Sequence, residues 1–181
     1  INLSKPGFGV GGYCLTKDPL FGVVSNNMIY KKNLKFPFST KAIEINRNMP
    51  NQTLNLAKKY IKNFKNKKIA IFGVSYKEDV GDIRYSPSIY IAKKLNKLGS
   101  KVFGYDPLVE KCDNFYDYYS KNLPETHNLD LIIIAVPHKI FSKIKFHNYL
   151  KNKKTIIIDA FNVLNENQIK LLRKNNFKLI S

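Results

Sequence analysis

Residues 5–19 read Lys5-Pro6-Gly7-Phe8-Gly9-Val10-Gly11-Gly12-Tyr13-Cys14-Leu15-Thr16-Lys17-Asp18-Pro19, with four glycines ahead of one cysteine. Glycine lets a backbone come close to a ligand and adopt positive φ. A thiol becomes a nucleophile when a cation or a helix N-terminus favours its thiolate. Lys17 and Asp18 follow Cys14 at +3 and +4, so one helical turn would set an ammonium and a carboxylate beside the sulfur. That carboxylate, Asp18, is the local candidate for handling protons and water. Packing alone does not call for this combination. Cys112 has no such neighbours and reads as an ordinary thiol.

A second segment carries charge in a suggestive place. Ile69-Ala70-Ile71-Phe72-Gly73-Val74-Ser75-Tyr76-Lys77 is an apolar run ending in a lysine, followed by Gly81-Asp82-Ile83-Arg84-Tyr85-Ser86-Pro87-Ser88. If the run is a strand, Lys77 lies just past its carboxyl end, where open α/β sheets bind ligands. No Gly-x-Gly-x-x-Gly opens this loop, and the glycines at 7–12 have no strand before them, so neither is a dinucleotide fingerprint. Asp106 closes another short run, Val102-Phe103-Gly104-Tyr105-Asp106-Pro107, as a ribose-binding acid or as the hinge of a turn. His138 ends a third run, facing a crevice or not. His127, His138 and His147 have no metal-ligand spacing, and no metal site is expected.

The elements that must hold these residues follow from periodicity. Residues 20–64 are mostly helical. Phe36-Pro37-Phe38 interrupts them, Ser39 is a candidate cap for residues 40–48, and Pro50 suits the first turn of a further helix reaching residue 64. Beyond a basic linker at 63–68, strands are expected at 68–74, 101–105, 129–136, 155–159 and 177–180, with helices at 86–99 and 165–175. Residues 107–128 give no clear pattern. Strands alternating with helices predict an α/β fold, a Rossmann-like doubly wound parallel sheet, preceded by a helical region.

The 181 residues carry a formal charge of +18 and 44% hydrophobic residues. There is room for one ordinary domain with an appendage. No run is long and apolar enough to span a membrane, and no signal-peptide pattern opens the chain, which begins with Ile1. Two unrelated cysteines give no disulfide framework, and a cytoplasmic location is expected. The charge invites a nucleic-acid reading. Yet only Arg47, Arg84 and Arg173 are arginines, and lysine, asparagine, isoleucine and tyrosine are all abundant, as AT-rich codons would produce. A solvated basic surface that attracts anionic small molecules is the preferred reading.

Taken together and in this order, the cysteine stretch, the Ile69–Ser88 segment and the Gly104-Tyr105-Asp106-Pro107 turn resemble the nucleotide-sugar dehydrogenases. These are the UDP-glucose and UDP-N-acetylhexosamine 6-dehydrogenases. The resemblance implies a C-terminal part of such an enzyme. Residues 1–19 would be the catalytic-cysteine loop, 20–66 a central helical and dimerisation region, and 67–181 a UDP-sugar-binding domain. It implies an NAD-dependent oxidation of a C6 alcohol to a uronic acid by two hydride transfers, in polysaccharide biosynthesis. Cys14 would be the nucleophile, with Asp18 its catalytic partner. Cys14, Leu15, Thr16, Lys17 and Arg84 would meet NAD. Lys5, Pro6, Gly7, Phe8, Gly9, Val10, Gly11, Tyr76 and Lys77 would meet the UDP-sugar. Implied partners are a second copy in a homodimer or higher homo-oligomer and an N-terminal NAD-binding domain, so this segment alone is expected to be inactive. Asp159-Ala160-Phe161 stands where the UDP-glucose branch has Asp-Gly-Arg, and Val136-Pro137-His138 where it has Thr-Glu-Trp. The Gly-Tyr-Cys-Leu-Thr-Lys-Asp-Pro form and Ile45-Asn46…Met49-Pro50 look closer to the N-acetylhexosamine branch. The alternatives are a nucleotide-binding module without catalysis and a basic nucleic-acid-binding domain.

Overall fold

A computed structural model describes residues 7–32, 34–124 and 128–181; Lys5, Pro6 and His127 lie outside them. The glycine-rich loop runs into α1 (Cys14–Lys17), a 3-10 turn (Asp18–Leu20), α2 (Phe21–Ser25) and a π-helical turn (Asn26–Tyr30). The long helix α3 (Pro37–Tyr60) follows. Two expectations are corrected here. Phe36, not Ser39, caps α3, with Pro37 in its first turn, where a missing N–H costs nothing. Pro50 does not open a new helix but sits inside α3. The burial of Ile43, Pro50, Leu54 and Ala57 along one face outweighs the lost backbone bond.

The rest is a six-stranded, wholly parallel sheet ordered β3-β2-β1-β4-β5-β6. Its strands are β1 (Lys68–Phe72), β2 (Lys101–Tyr105), β3 (Tyr119–Ser120), β4 (Leu131–Ile134), β5 (Ile156–Asp159) and β6 (Lys178–Ile180). Between them run α4 (Pro87–Lys97), α5 (Phe146–Tyr149) and α6 (Glu166–Lys174). This is the doubly wound Rossmann order, with the direction of winding reversing between β1 and β4. The stretch at 107–128, illegible in sequence, contains a 3-10 helix (Asp113–Tyr118) and the two-residue β3.

Alternation along each strand builds two cores. Ile69, Ile71, Leu131, Ile133 and Ile158 face α3 and α4. Ala70, Phe72, Ile132, Ile134 and Ile157 face Phe141, Phe146 and Leu172. Ser88, Ile91, Ala92 and Leu95 of α4 are buried at helical spacing. The Ser86 hydroxyl accepts the Ser88 amide, and Pro87 fills the first position, which starts α4 where the sequence placed it. Asn165 and Gln168 form a reciprocal capping box on α6.

Asp106 shapes the carboxyl end of the sheet. It is fully buried. Its Oδ2 accepts the amides of Val74 and Ser75, both at 2.8 Å, and Oδ1 accepts that of Leu108 at 3.0 Å. His138, also buried, completes the set. The Asp79 amide donates to its Nδ1 at 3.2 Å, which leaves Nε2 to carry the proton toward Asp106 at 3.1 Å. The residue at the end of β2 is therefore a clamp on the β1–α4 loop, and His138 is a pillar beneath that loop rather than a group lining a crevice. Burial alone would raise the Asp106 pKa, but the bonds from His138 and the Ser75 and Leu108 amides outweigh it and hold the carboxyl at about 2, against 3.8 ordinarily.

A folded pKa below the unfolded one stabilises at pH values above the unfolded pKa, and that contribution is lost as pH falls through the folded pKa. Stability should therefore decline between pH values of about 4 and 2, with Asp106 accounting for about 2 kcal/mol of the loss. Asp106→Asn should lower stability at neutral pH by about 1–3 kcal/mol, because a carboxamide turns an NH2 toward an amide donor. Urea melts of parent and variant across that range check both, since the variant should lack this part of the acid response.

Candidate active site

The glycine-rich loop lies across the carboxyl end of the sheet. At one side Gly7 abuts the ring of Phe161, just past β5, so closely that a methyl group at Gly7 would enter the ring. Phe8 is buried in the α3–α4 core and anchors the loop from below. At the other side the Gly12 amide donates to the Arg84 carbonyl at 2.9 Å. Gly12 has φ +78°, which favours glycine, and a Cβ at Gly11 would come within 2.6 Å of the Tyr76 Cβ. The two segments singled out in the sequence, 65 residues apart at Gly11 and Tyr76, thus pack backbone to side chain.

Cys14 opens α1 and is exposed. The Thr16 hydroxyl donates to the carbonyls of Gly12 and Tyr13 at 2.5 and 3.0 Å, which pins the turn that carries it. Lys17 and Asp18 form an exposed ion pair at 2.5 Å, and the Lys17 ammonium sits 4.6 Å from the centre of the Phe21 ring. The Asp18 hydrogen bond raises the Lys17 pKa against a smaller cost of burial, with Cys14 adding in the same direction. Leu15 points outward, 66% exposed.

Arg84 stands next to this turn. Its guanidinium lies 4.7 Å over the Tyr13 ring, and Tyr13 meets Tyr85 edge to face at 5.3 Å. Asp82 holds Arg84 through both carboxylate oxygens, which keeps the Asp82 carboxyl below the usual range and its cation fixed in direction. Lys77 is exposed one residue beyond Tyr76, and no carboxylate pairs with it among the described residues. The structure therefore brings Gly7–Gly12, Cys14, Tyr76, Lys77 and Arg84 into one neighbourhood. It leaves out Cys112, which is buried and whose thiol pKa burial pushes up.

Sequence reasoning passed over two features of this neighbourhood. Asn46 of α3 grips Val10, its Oδ1 accepting the Val10 amide and its Nδ2 donating to the Val10 carbonyl, both at 2.8 Å. Only the 36-residue separation hid it. A groove of about 760 Å³ also runs between α3, α4 and the loop, past Val10, Arg47, Tyr85 and Lys93.

The fold's own dinucleotide position does not fit NAD. The first free amides after β1, those of Val74 and Ser75, are taken by Asp106, and Asp106 itself is turned inward. The exposed set of Leu15, Lys17 and Arg84 fits a dinucleotide only if another domain presents it. Among the described residues no cluster of three His, Cys, Asp or Glu could hold a metal ion. No described helix is long and apolar enough to cross a membrane.

The UDP binding domain model of the UDP-glucose/GDP-mannose dehydrogenase family matches residues 70–166. The UDP-N-acetyl-D-mannosamine dehydrogenase of Methanococcus vannielii is 34% identical over 99% of this chain and 40% of its own length. That of Methanocaldococcus jannaschii is 36% identical over 99% and 40%. The crystal structure of an NDP-N-acetyl-D-galactosaminuronic acid dehydrogenase from Methanosarcina mazei superposes with a TM-score of 0.84 at 26% identity, over 98% of this chain and 39% of that one. The chain spans about 40% of the length of these relatives. With the sheet order and the paired loops described above, these matches show that the chain belongs to the UDP-glucose/GDP-mannose dehydrogenase family.

Proposed function

We propose that this chain supplies the nucleophile and the UDP-sugar-binding domain of an NAD-dependent 6-dehydrogenase acting on a UDP-N-acetylhexosamine. One observation carries the reading. In a chain of this family, the loop bearing Cys14 is bonded to and packed on the loop bearing Tyr76, Lys77 and Arg84. The names of the relatives favour an N-acetylated sugar over glucose. The exposed apolar row on Met28, Ile29, Tyr30, Leu34 and Phe38 is a surface for a second copy.

In this reading the glycine loop wraps the sugar diphosphate, and Lys77 meets its charge. Lys17 and Arg84 face a dinucleotide held outside residues 67–181. The chemistry that NAD supplies when bound is acceptance of hydride from C6. After the first oxidation the Cys14 sulfur adds to the aldehyde carbon, a C–S bond forms, and the carbonyl oxygen takes a proton. Loss of that proton, with a second hydride leaving the same carbon, would give a thioester on Cys14. Water, placed by Asp18, attacks the same carbon. The C–S bond breaks, the thiolate returns and the carboxylate departs. Over the whole sequence two hydrides and three protons would leave, and one water would be consumed.

Cys14→Ser in the complete enzyme should abolish acid formation while Cys112→Ser stays within about twofold of the parent, since a hydroxyl is a far poorer nucleophile at neutral pH. Chromatography of the sugar products distinguishes aldehyde from acid, and parent-like acid output from Cys14→Ser would refute the assignment.

Lys77→Ala should weaken UDP binding in calorimetry by roughly tenfold to a hundredfold, the worth of one charge-assisted contact. Arg84→Ala should mainly raise the KM for NAD in steady-state assays. A Lys77→Ala protein that binds UDP as tightly as the parent places the site elsewhere.

A further inference from the structure

We infer that Asn46, supported by Pro50, is a positioning residue that sets the glycine loop and through it the affinity for the ligand the loop wraps. The inference rests on the UDP-sugar reading above. A primary carboxamide can both accept an N–H and donate to the carbonyl of one residue, and Asn46 does this at Val10 with two bonds of 2.8 Å. Val10 is the middle of the loop and 47% exposed. One face of α3 serves the loop twice, because Met49, three residues on, packs against Gly9.

Pro50 accounts for how a helix can offer that face. It has no N–H for the Asn46 carbonyl four residues back, and its ring crowds that carbonyl. The turn of α3 that presents Asn46 and Met49 therefore lacks one backbone bond, while Pro50 itself stays buried and the helix runs on through it. The Asn46…Met49-Pro50 spacing is thus a device for shaping the loop. The loop's ends are fixed by Phe161 at Gly7 and by Arg84 at Gly12, and its middle by Asn46.

The test is steady-state kinetics of the complete enzyme carrying Asn46→Asp, which keeps the shape but sets a carboxylate oxygen against the Val10 carbonyl. The KM for the UDP-sugar should rise by about tenfold or more with kcat within about twofold. The melting temperature should stay within about 2 °C, because Asn46 is not in the core. Pro50→Ala should fold and raise the same KM. An unchanged KM in Asn46→Asp, in an enzyme where Lys77→Ala does weaken UDP binding, overturns this inference and leaves the functional reading standing. If Lys77→Ala is silent as well, the functional reading falls and takes the inference with it. A joint fall of kcat and melting temperature in Asn46→Asp shows a merely structural residue and also overturns it. An unchanged KM in Pro50→Ala overturns the part assigned to the proline.

Discussion

The buried carboxylate of Asp106 gathers the Val74, Ser75 and Leu108 amides and the His138 ring around one charge, and so joins the ends of β1, β2 and β4. The β1–α4 loop would otherwise be a long excursion with free backbone donors. Held by Asp106, it presents Tyr76 at a fixed height for Gly11 to rest on. The same clamp uses up the amides that a Rossmann sheet normally turns toward a pyrophosphate. One interaction thus gives the loop its shape and leaves those amides without a free bond to offer.

Above that clamp, three structural layers meet at the glycine loop. The sheet contributes Phe161 and Tyr76, α4 contributes Pro87, and α3 contributes Asn46 and Met49. Phe161 is an uncharged residue at the corner of the loop. Its ring packs on Gly7 and closes that corner without a charge. Of the cations near the loop, Lys17 and Arg84 are already oriented by a neighbouring carboxylate or ring.

Much of this was legible in the residues. Nearly uninterrupted apolar runs such as Leu131–Ile134 announce strands buried on both faces. Ser86-Pro87-Ser88 and Asn165…Gln168 announce the starts of α4 and α6 because capping is local chemistry. Pro50 misled because a proline inside a helix and one in its first turn look alike until burial is known. Ser39 misled because Pro37, two residues earlier, is a better start. Asp106 was undecided between turn and ribose acid, and only the direction of its side chain settles it. The Asn46–Val10 pair leaves no local trace, since neither residue alters the periodicity of its own element.

The two cysteines differ in a way that reaches beyond chemistry at the site. Cys112 lies within the β2–β3 connection, 2% exposed, whereas Cys14 stands on the surface at the rim of the glycine loop. These 181 residues therefore offer one exposed thiol, at the rim of the glycine loop. A fluorophore or spin label attached there, in this segment, reports on the setting of that loop without an engineered cysteine.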